Sequence, residues 1–198
     1  MRRTAEEAAE TRKALLRAAL AVFSERGYAA ATLAGIAERA GVTRGAAYHH
    51  FNDKATLYLA TIGELWAEAA APVWGVLDGD GPVLERVRRF LVAFFTALER
   101  DATLREAFAL SMRSAEGFPE LESGLRDKQI MMEGWKRGLT GLLDGAGLRE
   151  GLPAETAALA IITAVNGTAA TWLACPELFS PADQAEALAG AIMYGITS

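Results

Sequence analysis

The segment from Thr32 to Phe51 carries the signals of two short helices that meet at one glycine, Gly41. Thr32 and Thr43 each stand where a hydroxyl can accept a hydrogen bond from a free amide at a helix start. Gly41 allows the positive φ of a tight turn, which costs other residues about 1–2 kcal/mol. With a longer helix before it, at about Thr11–Arg26, the pattern predicts a helix-turn-helix; spacing alone also fits an αα-corner without a ligand.

The rest of the chain also reads as helices separated by Gly, Pro and capping residues. Alanine accounts for 41 residues, against 8 Val and 7 Ile, a balance that favours helix over strand. After a fourth helix capped by Asn52 or Asp53, we expect helices at about Gly81–Arg100, Thr103–Ser114, Pro119–Leu143, Pro153–Ala174 and Pro181–Ile196. We therefore predict an all-α fold of about nine helices. Residues 1–54 would form a three-helix N-terminal domain and residues 55–198 a C-terminal helical bundle.

The net charge of −5 is unevenly distributed along the chain. Residues 1–54 carry +3, whereas residues 55–198 carry −8. Because contacts with phosphate require cations, the N-terminal part is the one suited to a polyanion. The imbalance alone fits an uneven solvated surface equally well, so the nature of the side chains has to decide.

The short third helix, expected to end at about residue 50, is too polar to be buried. Arg44 can make a bidentate contact with guanine or phosphate, and Gly45 lets the backbone approach base edges. Tyr48, His49 and the hydroxyl of Thr43 are suited to hydrogen bonds with phosphate. The helix therefore offers a set of donors for a polyanion, and Phe51 after it is expected to anchor the helix to the core.

Residues 32–57, TLAGIAERAGVTRGAAYHHFNDKATL, resemble the DNA-binding domain of the TetR family of bacterial repressors. The resemblance covers about residues 9–58 and lies in four short patterns: Thr-Leu-x-x-Ile-Ala, Ala-Gly-Val-Thr-Arg-Gly, Tyr-His-His-Phe and Phe-x-x-Lys-x-x-Leu. The N-terminus is similar to the branch that controls multidrug efflux. The resemblance implies DNA-contacting positions at Thr43, Arg44, Gly45, Tyr48, His49 and Lys54, with Thr32 touching phosphate. Ala47 departs from the larger aliphatic residue frequent in the family, which predicts a less firmly anchored recognition helix.

Aromatic and methionine side chains gather in the C-terminal half, where most are expected to be core. The resemblance implies a pocket for a small effector there, and Met beside aromatic walls suits apolar or cationic molecules. Because they recur at helical spacing on inward-facing stripes, the candidate ligand-binding residues are Trp66, Phe94, Phe108, Met112 and Trp135.

Small residues recur in the last two predicted helices and permit close helix packing. The resemblance implies that these two helices form a four-helix interface across the two-fold axis of a homodimer. The alternative is a core formed within one chain.

Cys175 is the single cysteine, which excludes an intramolecular disulfide and a cysteine-based metal cage and favours a reducing, cytoplasmic location. The stretch Thr156–Pro176 has no charge over 21 residues, about the length of a bilayer span. Its four threonines and Asn166 favour instead a helix covered by protein, so no contact with a membrane is expected.

No pattern of catalytic residues stands out in the sequence. The two histidines are adjacent, so they point in different directions on a helix and cannot chelate one metal together. We therefore expect no enzyme, no metal and no cofactor. The predicted function is a ligand-responsive regulator that represses transcription from a palindromic double-stranded operator and is released by a small hydrophobic or cationic effector. Alternatives are a helical enzyme built from acidic residues and a small-molecule-binding dimer without DNA-binding activity.

Overall fold

The structure, a computed structural model, describes residues 5–113 and 118–197. Within these ranges the chain forms nine α-helices, two short 3-10 turns at Val76–Asp78 and Pro119–Leu121, and one isolated bridge between Leu148 and Thr197. The helices are α1 (Ala5–Ala30), α2 (Leu33–Arg39), α3 (Arg44–His50), α4 (Lys54–Gly75), α5 (Val83–Arg100), α6 (Ala102–Met112), α7 (Glu122–Leu143), α8 (Ala154–Ala174) and α9 (Ala185–Ile196). The prediction of an all-α fold is confirmed.

The first helix is longer than the sequence pattern predicted. It begins at Ala5, and a kink at Gly27, with φ 73° and ψ 169°, separates its last residues from the main body. The predicted left-handed stop at Gly27 is therefore confirmed, and the residues from Tyr28 to Ala30 follow the interruption. The kink turns the chain toward α2, which begins three residues after Ala30.

The predicted start of the last helix at Pro181 is wrong, because α9 begins at Ala185. The carboxylate of Glu99 accepts hydrogen bonds from the Ser180 hydroxyl at 2.7 Å and from the Ala182 amide at 2.9 Å. The Ser180 oxygen also accepts from the Asp183 amide at 3.0 Å. These bonds hold residues before α9 in a turn, and they lower the pKa of Glu99.

The chain divides into two compact units. The first contains the described residues up to Ala69 and those between Glu106 and Glu122; the second contains Ala70–Arg105 and the described residues from Ser123 onward. The boundary predicted after Lys54 falls at the first residue of α4, whereas the units divide within α4, after Ala69. The predicted functional domains therefore remain a prediction.

In the second unit, α5 packs against both α8 and α9. One face of α8 is buried throughout its length, and Ile161, Val165 and Trp172 belong to it. Among the described residues α8 is also the one helix long and apolar enough to cross a membrane. Its packing against α5 and α9 covers one face of the helix.

Candidate nucleic-acid interface

The turn between α2 and α3 is built as its sequence predicts. Gly41 has a φ of 69°, and its amide donates to the Glu38 carbonyl at 3.0 Å. The next amide, from Val42, donates to the Ala37 carbonyl at 3.0 Å. These bonds satisfy carbonyls at the end of α2 and set the direction in which α3 leaves.

Both threonine caps are formed in this part of the chain. Thr32 Oγ1 accepts from the Gly35 amide at 3.1 Å, and Thr43 Oγ1 accepts from the Ala46 amide at 3.1 Å. Each hydroxyl keeps its own O–H as a donor, because a hydroxyl both donates and accepts. The same threonine can therefore hold a helix start and donate to a phosphate.

Helix α3 separates an anchored face from an exposed face. Ala47 is fully buried, and Phe51, which ends the helix, is buried as the sequence predicts. The rest of the helix surface exposes Arg44, Gly45, Tyr48 and His49. Tyr48 is 45% exposed. The predicted donor set thus lies together on one open surface.

Arg44 and Tyr48 are neighbours on this surface. They lie four residues apart on α3, and the Arg44 guanidinium carbon is 5.5 Å from the centroid of the Tyr48 ring. The N–H donors of a guanidinium lie in its own plane, so contact with a ring face leaves them able to bond to other groups. The pair therefore presents a cation and a hydroxyl side by side.

Lys54 is placed differently from the residues of α3. Its ammonium donates to the carbonyls of Tyr28 at 2.8 Å and Ala29 at 3.4 Å, and it lies 4.2 Å from the centroid of the Tyr28 ring. Lys54 thereby ties the start of α4 to the end of α1. Because an ammonium has three N–H donors, one remains after these two bonds. Asp53 caps the same helix by accepting from the Thr56 amide at 2.7 Å, which lowers the pKa of Asp53.

Two basic residues that sequence reasoning missed brace the helices of this unit. Arg39 on α2 makes a two-pronged ion pair with Glu25 on α1, with distances of 2.7 and 2.8 Å. Arg12 stacks 4.5 Å above the Phe51 ring and pairs with Glu64 on α4. No local signal predicts these pairs, since their members are 14 to 52 residues apart in sequence.

The candidate effector residues are distributed over both units. In the first, Trp66 and Phe108 are buried with ring centroids 5.5 Å apart, whereas Met112 is 42% exposed. In the second, Phe94 is buried, and the Trp135 ring lies 4.9 Å from that of Trp74. The structure thus brings together one of the predicted pairs, Trp66 with Phe108.

Helices α8 and α9 each expose a face of small and apolar residues. Leu159 on α8 is 51% exposed, and Tyr194 on α9 is 80% exposed. A Cβ atom added at Gly167, Gly190 or Gly195 would meet nothing within 4 Å. Glycine within a helix costs about 1 kcal/mol relative to alanine, and no contact among the described residues explains these three.

Comparisons with known proteins agree with the geometry of the first unit. Residues 15–61 match the model of the family described as bacterial regulatory proteins, tetR family. The chain is 36% identical over 183 residues to the HTH-type transcriptional regulator TtgR of Pseudomonas putida, covering 89% of this chain and 87% of that relative.

Two solved structures of other proteins are similar to this chain over nearly its whole length. NalD, the secondary repressor of the MexAB-OprM multidrug efflux pump in Pseudomonas aeruginosa, has a TM-score of 0.83 at 26% identity and covers 96% of this chain and 98% of its own. A complex of SmeT with triclosan has a TM-score of 0.78 at 27% identity, with coverages of 95% and 92%. The similarity therefore includes the helices beyond the matched N-terminal segment.

Proposed function

This chain belongs to the TetR family of bacterial regulatory proteins, and we propose that it represses transcription as a homodimer on a near-palindromic operator in the cytoplasm. It is a DNA-binding transcriptional regulator. The observation that carries the finer proposal is the division of α3, which buries Ala47 and exposes Arg44, Tyr48 and His49. A polar face held outward by an apolar anchor is what a helix needs to enter a major groove.

The exposed side chains have distinct roles in the proposed complex. Arg44, at the first turn of α3, contacts guanine or phosphate, and the missing side chain of Gly45 lets the backbone approach base edges. Tyr48 and His49 donate to phosphates, as does the O–H of Thr43. At the borders of the site, the O–H of Thr32 and the third N–H of Lys54 complete the phosphate contacts.

The homodimer is proposed to form through the exposed faces of α8 and α9. Gly167, Gly190 and Gly195 have open space beside them, so a partner helix can approach closely there. This close approach would explain why glycine stands at these positions despite its low helix propensity. A two-fold axis would then place two recognition helices about 34–36 Å apart, one turn of DNA.

The dimer interface can be tested by placing a charge on α8. Leu159→Glu should shift the sedimentation equilibrium of the purified protein toward monomer, because each subunit would bury an unpaired carboxylate. Leu125→Glu on α7 is the matched control, since Leu125 is 53% exposed and Leu159 is 51% exposed. Equal dissociation in the two variants, or in neither, would place the interface elsewhere.

We propose that a small hydrophobic or cationic molecule releases the repressor from DNA. Support comes from NalD, named as a repressor of a multidrug efflux pump, and from SmeT, solved with triclosan. The proposed effector contacts are Trp66, Phe94, Phe108, Met112 and Trp135. A coupling of about 1–3 kcal/mol between effector and operator binding gives a 5- to 150-fold release. The proposal requires neither catalysis nor a cofactor.

The experiment that tests this function is a footprint on the DNA flanking the protein's own gene, repeated with hydrophobic and cationic drugs. We expect a protected, near-palindromic segment that one of the drugs uncovers. Binding should weaken steeply with added salt, because phosphate contacts release condensed counterions. Absence of protection by a dimeric, folded protein would contradict the repressor and favour a ligand-binding dimer.

A further inference from the structure

Four aromatic rings of the first unit surround an empty space. Phe23 and Tyr28 come from α1, Tyr58 from α4, and Phe118 precedes the second 3-10 turn. The Tyr28 ring has its centroid 5.1 Å from that of Tyr58 and 4.9 Å from that of Phe118, both edge-to-face. The Phe23 and Tyr58 rings meet edge-to-face at 4.9 Å. We call the space that these rings border the aromatic cavity.

The aromatic cavity has the size of one small ring. Its volume is about 160 Å³, and its remaining walls are Leu110, Leu121 and Arg113. Both leucines are almost completely buried, so the apolar walls are fixed by packing. An apolar cavity of about 150 Å³ in another protein binds benzene. The volume therefore suits a six-membered ring with a single small substituent.

The polar groups of the aromatic cavity have spare hydrogen-bonding capacity. The Tyr58 hydroxyl donates to the Leu110 carbonyl at 3.3 Å, and the Tyr28 hydroxyl donates to Glu120 Oε1 at 3.2 Å. Each phenolic oxygen thus has its hydrogen committed and its lone pairs available as acceptors.

Arg113 supplies the complementary donors. Its two terminal nitrogens donate to the carbonyls of Phe23 at 3.0 Å and Ser24 at 3.4 Å. A guanidinium has five N–H groups, so three donors remain after these two bonds. The polar groups of the cavity therefore comprise both acceptors and donors, and they lie beside walls that are otherwise carbon.

From these observations we propose that the aromatic cavity is a binding site for a neutral one-ring phenol. The ring of the ligand packs among the four aromatic side chains, its O–H donates to a tyrosine oxygen, and its oxygen accepts from Arg113. None of the five candidate effector residues lines this cavity, so the site is separate from the proposed effector contacts.

Binding is tested by titrating the full-length protein with phenol and following ligand and aromatic side-chain signals by NMR. We expect saturable binding with a dissociation constant on the order of 1 mM, ordinary for a ligand of this size. Intermolecular NOEs should connect phenol protons to the rings of Phe23 and Tyr58. Cyclohexanol, similar in size but without a planar ring, should bind more weakly.

Two variants separate this site from any other that takes up phenol. Leu121→Phe narrows the cavity with a larger side chain, and it should weaken phenol binding and reduce the NOEs to Phe23 and Tyr58. If that variant does not fold, Arg113→Met keeps the side-chain stem but removes the donors. Its affinity for phenol should fall about 2- to 12-fold, as for the loss of one hydrogen bond, with no change in its affinity for benzene.

The proposal is overturned if phenol fails to saturate, if its NOEs fall only on residues outside the cavity, or if the folded Leu121→Phe variant binds as the parent does. An equal effect of Arg113→Met on phenol and benzene would refute the assigned hydrogen bond. All these measurements are made without DNA, so failure of the repressor function and failure of this site remain distinguishable.

Discussion

Arg44→Ala is the substitution that tests the proposed interface most directly. One bidentate arginine contact is worth about 1–3 kcal/mol of discrimination on DNA. A symmetric dimer loses the contact in both half-sites, so we expect a loss of about 2–6 kcal/mol in operator binding. This corresponds to a reduction in affinity of about 30-fold to about 10⁴-fold.

The fold should tolerate this change, because Arg44 is exposed at the first position of α3. Alanine has a higher helix propensity than arginine, which offsets the lost stacking on Tyr48. Exposed substitutions of this kind change the free energy of unfolding by about 0.5 kcal/mol or less. For a chain of this size that amounts to a shift in Tm of about 2 °C or less, so unfolding cannot mimic the loss of binding.

The assay is fluorescence anisotropy of a labelled duplex carrying the footprinted site, at several KCl concentrations. If Arg44 contacts phosphate, the salt dependence of binding should fall by about two counterions per dimer; if it reads guanine, the preference at one base pair of each half-site should relax instead. Arg126→Ala on α7 is the control, since it removes the same charge from an exposed helix of the other unit. Affinity of Arg44→Ala within twofold of the parent would refute the placement of α3 on DNA.

Three further changes test the framework around α3. Thr43→Ala should lower the free energy of unfolding by about 1 kcal/mol in urea titrations, because the Ala46 amide loses its cap, whereas Thr43→Ser should restore it. Gly41→Ala should cost about 1–2 kcal/mol in the same titrations, and a neutral result would contradict the positive φ of the turn. The difference in free energy of unfolding between Tyr28→Phe and the parent should shrink as the pH rises from 10 to 12. Burial and Glu120 raise the pKa of Tyr28 from 10.0 in the unfolded chain to about 12 in the folded protein. Tyr28 therefore ionises in the unfolded parent first, and the parent loses stability in this range while the variant does not.

The caps and the turn could be predicted from the sequence because their partners are close along the chain. Thr32 and Thr43 each bond to an amide three residues ahead, and Gly41 closes its turn on Glu38. Such bonds depend on local backbone conformation, which residue type largely determines. The exposure of Arg44 and Tyr48 could be predicted from residue type as well, since the short helix that carries them is too polar to be buried.

The ties between distant residues could not be predicted in this way. The ammonium of Lys54 reaches a carbonyl 26 residues earlier, and the sequence pattern around it indicates only a cation near a helix start. The burial of Met112 could not be predicted either. Its helical spacing predicted an inward-facing side chain, but in the structure Met112 is 42% exposed. Periodicity assigns a residue to one side of a helix, whereas its coverage depends on which other elements pack there.

The stability of α3 depends little on Arg44 and Tyr48, the two exposed side chains that it offers to DNA. A helix of seven residues is unstable by itself, because nucleation costs more than its few hydrogen bonds return. Tertiary contacts at Ala47 and at Phe51, the latter stacked under Arg12, therefore keep it folded. Since Arg44 and Tyr48 remain exposed while Ala47 and Phe51 are buried, substitutions at the exposed positions can alter operator preference while the helix keeps its place.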